Sequence, residues 1–166
     1  MTGPVWLDRA RTYVGLKEIP GPKSSPVIVR WWEAIKAPFR EDLTPWCGAF
    51  VGGVLAECGM QVAKNGSAAR SWLNHGVPLD RPAVGAIVVF WRGKPSGWSG
   101  HVGFVVGRDR AGNLMVLGGN QGDAVNIKPF STARVLGYRW PGVAPLPARY
   151  NLPVLTSDGR VSQNEA

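Results

Sequence analysis

The sequence predicts an α+β fold, with N-terminal helices packed on a C-terminal antiparallel sheet of about five strands. Two observations carry this. Apolar residues recur at helical spacing through the first half of the chain and in strand-like runs and alternation through the second. The links between the strand segments are short and rich in Gly, Asp and Asn, which favours antiparallel neighbours over the long crossovers that parallel strands need. Helices first and strands afterwards is the order of an α+β rather than an alternating α/β chain. A length of 166 residues with 45% apolar content suits one domain with its own core.

Each element has a local reason. Trp6, Ala10, Tyr13 and Val14 fall at i, i+4, i+7 and i+8, and Gly15 is a stop for that first helix. Ser25-Pro26 reads as the cap and first turn of a second helix, which continues through Ile28, Trp31, Trp32 and Ile35. A third helix is expected over 45–58, with Thr44 as its cap and Pro45 at its first position. Ser67 is expected to cap a short helix through Leu73 that ends near Gly76. Strands are expected at about 84–91, 101–107, 113–118, 124–128 and 135–140. Trp6, Trp31, Trp32, Trp72 and Trp140 read as core or half-buried packing. These elements make a domain over 1–140. From Pro141 prolines accumulate and apolar side chains thin out, so 141–166 reads as an extended arm ending in a mobile tail.

Composition narrows the function classes. No apolar run is long enough to cross a bilayer. Residues 1–16 lack a basic start followed by an apolar stretch, so the expectation is synthesis in the cytoplasm without a signal peptide. Cys47 and Cys58 lie eleven residues apart on one expected helix. That separates them by about 16 Å along the axis, too far for a disulfide or a shared zinc. No metal and no cofactor are expected. The net charge of +8 is scattered along the chain. It reads either as a soluble cationic surface or as attraction to a polyanion such as an anionic bacterial envelope. With no zinc finger, RNA-recognition motif or helix-turn-helix signature, no specific nucleic-acid partner is expected.

Cys47 stands about three residues into the expected third helix, where unpaired backbone N–H groups and the positive helix end converge. Such a place lowers a thiol pKa and makes a nucleophile, although most lone cysteines are small buried hydrophobes. In Gly100–Gly107, strand alternation puts His101, Gly103 and Val105 on one face and Val102, Phe104 and Val106 on the other. If the next strand runs on, Val116, Gly118 and Asn120 share a face, and the Asn120 amide can accept from the imidazole and fix its tautomer. The run Gly118–Asp123 reads equally well as a turn. Trp91 and Trp98 bracket a turn-rich loop just before His101, where Trp91 reads as core packing and Trp98 reads either as packing or as lining a substrate groove. Glu18 and Asp42, upstream of the cysteine, read as contacts to a substrate amine or as solvated or capping carboxylates.

Four segments in order, Trp46-Cys47-Gly48-Ala49-Phe50-Val51, Pro82-Ala83-Val84-Gly85-Ala86-Ile87-Val88-Val89-Phe90, Gly100-His101-Val102-Gly103-Phe104-Val105-Val106 and Gly119-Asn120-Gln121, resemble a cysteine–histidine-dependent amidohydrolase/peptidase (CHAP) domain, related to the NlpC-type cell-wall peptidases. The stretch Gly15-Leu16-Lys17-Glu18-Ile19-Pro20-Gly21 resembles a small bacterial and phage branch of that group, and the resemblance covers roughly residues 5–140. It implies a papain-like fold and hydrolysis of amide bonds in peptidoglycan by an amidase or endopeptidase. It implies Cys47 as nucleophile, His101 as general base and Asn120 as the polar residue that orients the histidine. Some relatives place an acidic residue two positions earlier, where this chain has Gly118. Trp46 joins Trp98, Glu18 and Asp42 as an expected substrate contact. The expected protein is a monomeric phage endolysin or secreted lytic effector that reaches the wall after holin release, with a virion or by specialised secretion. The rival readings are a non-catalytic wall-binding module and a cytosolic cysteine protease of the papain-like class.

Overall fold

The computed structural model, which describes residues 3–19 and 23–163, places the helices ahead of the strands along the chain. Helices α1 (Val5–Arg11), α2 (Pro26–Ala34) and α3 (Cys47–Glu57) are followed by a short 3₁₀ helix, Ala69–Asn74. The strands are β1 (Val77–Leu79), β2 (Ile87–Trp91), β3 (Gly100–Arg108), β4 (Leu114–Gly118), β5 (Asn126–Phe130) and β6 (Val135–Trp140). They form one sheet in the order β1-β6-β2-β3-β4-β5, with every pairing antiparallel. Among the described residues this is an α+β fold with a six-stranded antiparallel sheet. Pro20 and Gly21 of the upstream motif, and the last three residues of the tail, lie outside the described residues.

The additional strand is β1, which pairs only with β6 at the sheet's edge. It is three residues long and contains Pro78, which cannot donate to a ladder and so hides a strand from pattern reading. β3 lies inside the sheet between β2 and β4, and its residues 101–107 are all buried. Helix α3 packs across it and is buried on every side from Cys47 to Leu55. This explains a helix carrying three glycines, which intrinsic propensity disfavours. A Cβ on Gly48 would overlap the Gly66 carbonyl, and one on Gly53 would overlap the Trp31 indole. Trp31 sits at the centre of the helical layer, with the rings of Tyr13, Trp46 and Phe50 at 5.0, 6.1 and 5.4 Å. The tryptophans expected in the core are all buried.

Ser25 caps α2, its Oγ accepting from the Ile28 N–H at 3.5 Å. Thr44 does not cap α3. Its hydroxyl donates to the Glu41 carboxylate, which also accepts the Leu43 and Thr44 N–H groups. The chain turns there, Trp46 becomes the cap residue without a side-chain bond, and Cys47 is the first helical residue rather than the third. Cys47 and Cys58, at opposite ends of α3, are free thiols.

The described part of the expected arm makes backbone hydrogen bonds to the sheet. Val154 bridges Arg108 in parallel, with the Arg108 N–H donating to Pro153 O (2.9 Å) and the Leu155 N–H to Arg108 O (2.7 Å). Ser162 N–H donates to Pro129 O at 2.8 Å. Among the described residues no helix is long and apolar enough to cross a membrane.

Candidate active site

The start of α3 and the strand β3 meet at Cys47. Cys47 is buried, 4% exposed, and backbone N–H groups of Val102, Gly48 and Cys47 itself act to favour its thiolate form. Val102 follows His101 in β3, so α3 docks its first residue against the strand that carries the histidine. The electrostatics differ from expectation. Burial pushes the Cys47 thiol pKa up, and the surrounding N–H groups and the Arg92 charge oppose that without overcoming it. A helix start favours a thiolate only to the extent that solvent or countercharge supports it, and here desolvation wins.

His101 is fully buried, with its ring parallel to Phe130 at 5.2 Å and near Phe90 at 6.3 Å. Its Nε2 lies 3.0 Å from Gln121 Oε1. The orientation of that amide is fixed by the rest of the network. Gln121 Nε2 donates to Asn126 Oδ1 (2.9 Å), Asn126 O (3.0 Å) and Val116 O (3.3 Å), and backbone carbonyls can only accept. The oxygen therefore faces the imidazole, which donates to it from Nε2, so in the neutral ring the lone pair lies on Nδ1. Asn126 Nδ2 in turn donates to Gln121 O at 2.8 Å, which closes the clasp.

Asn120 makes no such bond. Its side chain is 1% exposed, and neither its nitrogen nor its oxygen has a hydrogen-bond partner. The reason is local. β4 ends at Gly118, and Asn120 adopts a left-handed φ of 58°, so strand alternation does not reach position 120. The turn swings Gln121 onto the histidine instead. Gly118 makes room for it: a Cβ there would overlap Gln121 Oε1 and approach His101 Nε2 to 3.2 Å. Gly119 brings the turn against the α3 start, where a Cβ would press on Phe50 and Trp46 at 2.6–2.7 Å. Gln121 stood in the quoted motif, but only the turn reveals which of its two amides meets the ring.

The upstream residues make contacts within the fold. Trp46 is fully buried, packing near Trp31 and donating from Nε1 to Glu18 Oε1 at 2.7 Å, so it presents no surface to a substrate. Asp42 is also buried. Its Oδ2 accepts the Ile19 and Ser25 N–H groups, both at 2.9 Å, which pins the loop ahead of α2. Glu18 is half-buried, and burial raises its pKa, helped by the negative charges of Asp123, Asp42 and Glu41, while the Trp46 bond pulls it down. Because the folded pKa is raised, ionising Glu18 costs stability. The neutral form's advantage is present below the ordinary carboxylate pKa of about 4 and is lost as pH rises through the folded value. Glu18→Gln keeps an acceptor for Trp46 without the charge. Its melting temperature should exceed that of the unaltered chain at pH 7, with the gap closing toward pH 4. A lower value at pH 7 would show that the charged hydrogen bond outweighs burial.

Trp98 is the expected contact that the structure leaves open, 88% exposed on the loop between β2 and β3. Trp91 is partly covered, with the Arg134 guanidinium 6.0 Å from its ring. Among the described residues no group of His, Cys, Asp and Glu is placed to hold a metal.

None of the curated proteins matches the chain. The family model of the CHAP domain matches residues 40–120, a span that opens just ahead of Cys47 and closes one residue short of Gln121. That span takes in the thiol at its helix start and the clasped histidine, and the CHAP domains it matches are generally hydrolases of the amidase and peptidase kind.

Proposed function

We propose that this chain hydrolyses an amide bond of the peptidoglycan stem peptide through an acyl-enzyme on Cys47, with His101 as general base and Gln121 as the residue that orients it. The observation that carries the reading is the Gln121–His101 bond, which leaves Nδ1 basic on the strand against which the buried thiol is docked. Nδ1 takes the thiol proton and the thiolate attacks the carbonyl carbon. The Cys47 N–H, which has no partner within the helix, donates to the oxyanion. His101 then protonates the leaving amine, and the C–N bond breaks to give a thioester. Water attacks the thioester with His101 as base, releasing the carboxylic acid and restoring the thiol. A nucleophile at a helix start packed on a histidine strand also supports a papain-like assignment for the fold. Lysis of walls, as a phage endolysin or a secreted effector, is the biological role that follows.

A zymogram with embedded peptidoglycan tests the activity. Mass analysis of the released fragments separates cleavage at the lactyl amide from cleavage within the peptide. No clearing by the intact chain would leave a wall-binding module or a protease with another substrate.

The net charge of +8 gives a second test. If it holds the enzyme on an anionic envelope, lysis of intact walls should fall as salt rises from about 50 to 300 mM, because screening shortens to several ångströms. Turnover of a small soluble stem peptide should change much less. Equal salt sensitivity on both substrates would remove the envelope as the partner of that charge.

A further inference from the structure

Trp98 is the most exposed of the large hydrophobic side chains around the site, at 88%, and it lies three residues before His101. A bare indole in water gains nothing from packing, and the surrounding Gly, Pro and Ser would tolerate a polar residue in its place. Yet the loop is built to hold it still. Arg70 reaches across from the 3₁₀ helix and donates from Nε to Ser99 O (2.8 Å), from Nη1 to Pro95 O (2.8 Å) and from Nη2 to Lys94 O (2.9 Å). The Arg92 N–H donates to Ser99 O and the Gly97 N–H to Lys94 O, both at 3.1 Å.

Two hollows flank this loop and share Arg92 and Gly93. One, of about 300 Å³, is lined by Lys94 and Trp98, and the other, of about 360 Å³, by Arg134 and Gln163. Every charged side chain lining them, among the described residues, is cationic. The loop runs directly into β3, the strand that carries His101. An aromatic plate on a braced loop beside clustered cations suits a ring with an apolar face joined to an anionic group, such as a sugar ring joined to a group bearing carboxylates. Guanidinium groups match carboxylates in geometry as well as charge.

We propose that the 92–99 loop is a carbohydrate subsite, in which Trp98 stacks on a sugar ring of the wall glycan while Arg92 and Lys94 take a carboxylate of the attached peptide. The enzyme then selects stems still joined to glycan over free peptides. This rests on the peptidoglycan reading above. A nucleobase would also stack on an indole, but the loop adjoins a centre for amide hydrolysis, and the wall is where sugar and amide meet.

The test compares two soluble substrates of the full chain. One is the disaccharide-peptide released from walls by a muramidase. The other is the same peptide bearing the lactyl group but no sugar, so that either scissile amide is retained. The unaltered enzyme should prefer the first. Trp98→Ala should lower kcat/KM on the disaccharide-peptide about tenfold, equivalent to about 1.4 kcal/mol, mainly through KM, and change the sugar-free substrate less than about twofold. Trp98→Phe should recover part of the loss. Arg70→Ala, which frees the loop without touching the plate, should reproduce the selective loss in part. Equal losses on both substrates, or no loss on either, would overturn the subsite, as would Trp98-dependent binding of a single-stranded oligonucleotide with no effect on the disaccharide-peptide. Failure of the unaltered enzyme on both substrates would instead overturn the peptidoglycan reading, and the subsite with it.

Discussion

Replacing Cys47 by Ala is expected to abolish peptidoglycan clearing and leave the fold in place. The chemical reason is that a methyl group cannot attack a carbonyl. Cys58, the other thiol, is at the far end of α3. The loss should be on the order of 10³-fold or more, because nucleophile and base act as one unit. The structural reason for a retained fold is equally specific. Cys47 is the first residue of α3, with a 4% exposed side chain that makes no disulfide. Ala is the best helix former and removes only the sulfur, at a cost of about 1 kcal/mol for the small void. Turbidity loss of a wall suspension reads the activity and a thermal melt reads the fold. Cys58→Ala should retain most activity. Comparable clearing by Cys47→Ala with an unchanged melt would end the cysteine mechanism.

Much of the architecture was legible because hydrophobic period is a property of the chain itself. The α2 face of Ile28, Trp31 and Trp32 is buried as its spacing requires, and the Gly100–Arg108 alternation is a central strand. What escaped depended on contacts distant in sequence or on local backbone turns. β1 is held by pairing with β6, not by its own Val-Pro-Leu sequence. The α3 start moved because Glu41 captured the hydroxyl that would have capped it. Trp46 and Asp42 look like groove residues in one dimension, but packing buries both. The Cys47 environment shows the same limit for electrostatics. Sequence position reveals the helix end, whereas the degree of burial, which decides the direction of the pKa, is a property of the whole fold. The helix start at Cys47 and the strand at His101 were legible, and the amide that bonds His101 was not, because parity counted along β4 fails once the chain turns at Gly118.

That last point gives a graded experiment on the histidine and its neighbours. His101→Ala should cost nearly as much as Cys47→Ala, and the double variant little more than either alone, since removing one member of a unit already removes its function. Gln121→Ala should cost less. The base remains, but nothing then holds Nε2 protonated and the ring in register, so kcat should fall roughly ten- to a hundredfold, or ~1.4–2.7 kcal/mol of barrier, with KM little changed. Gly118→Ala should follow the same pattern without altering any polar group, because the new Cβ overlaps Gln121 Oε1 and pushes it off His101. Gln121→Glu should instead lose stability, because its second oxygen would face Val116 O, Asn126 O and Asn126 Oδ1, all acceptors in the present network. Asn120 needs a glycine rather than an alanine for a fair comparison, since its φ of 58° strains any residue with a Cβ. Asn120→Gly removes two buried polar atoms that lack partners, so its activity should stay within about threefold of the unaltered enzyme. Each variant is read by kcat and KM on one soluble muropeptide, with a melt to separate chemistry from stability. A larger kcat loss in Asn120→Gly than in Gln121→Ala, at equal stability, would return the orienting role to Asn120 and make the Gln121 clasp a structural bond.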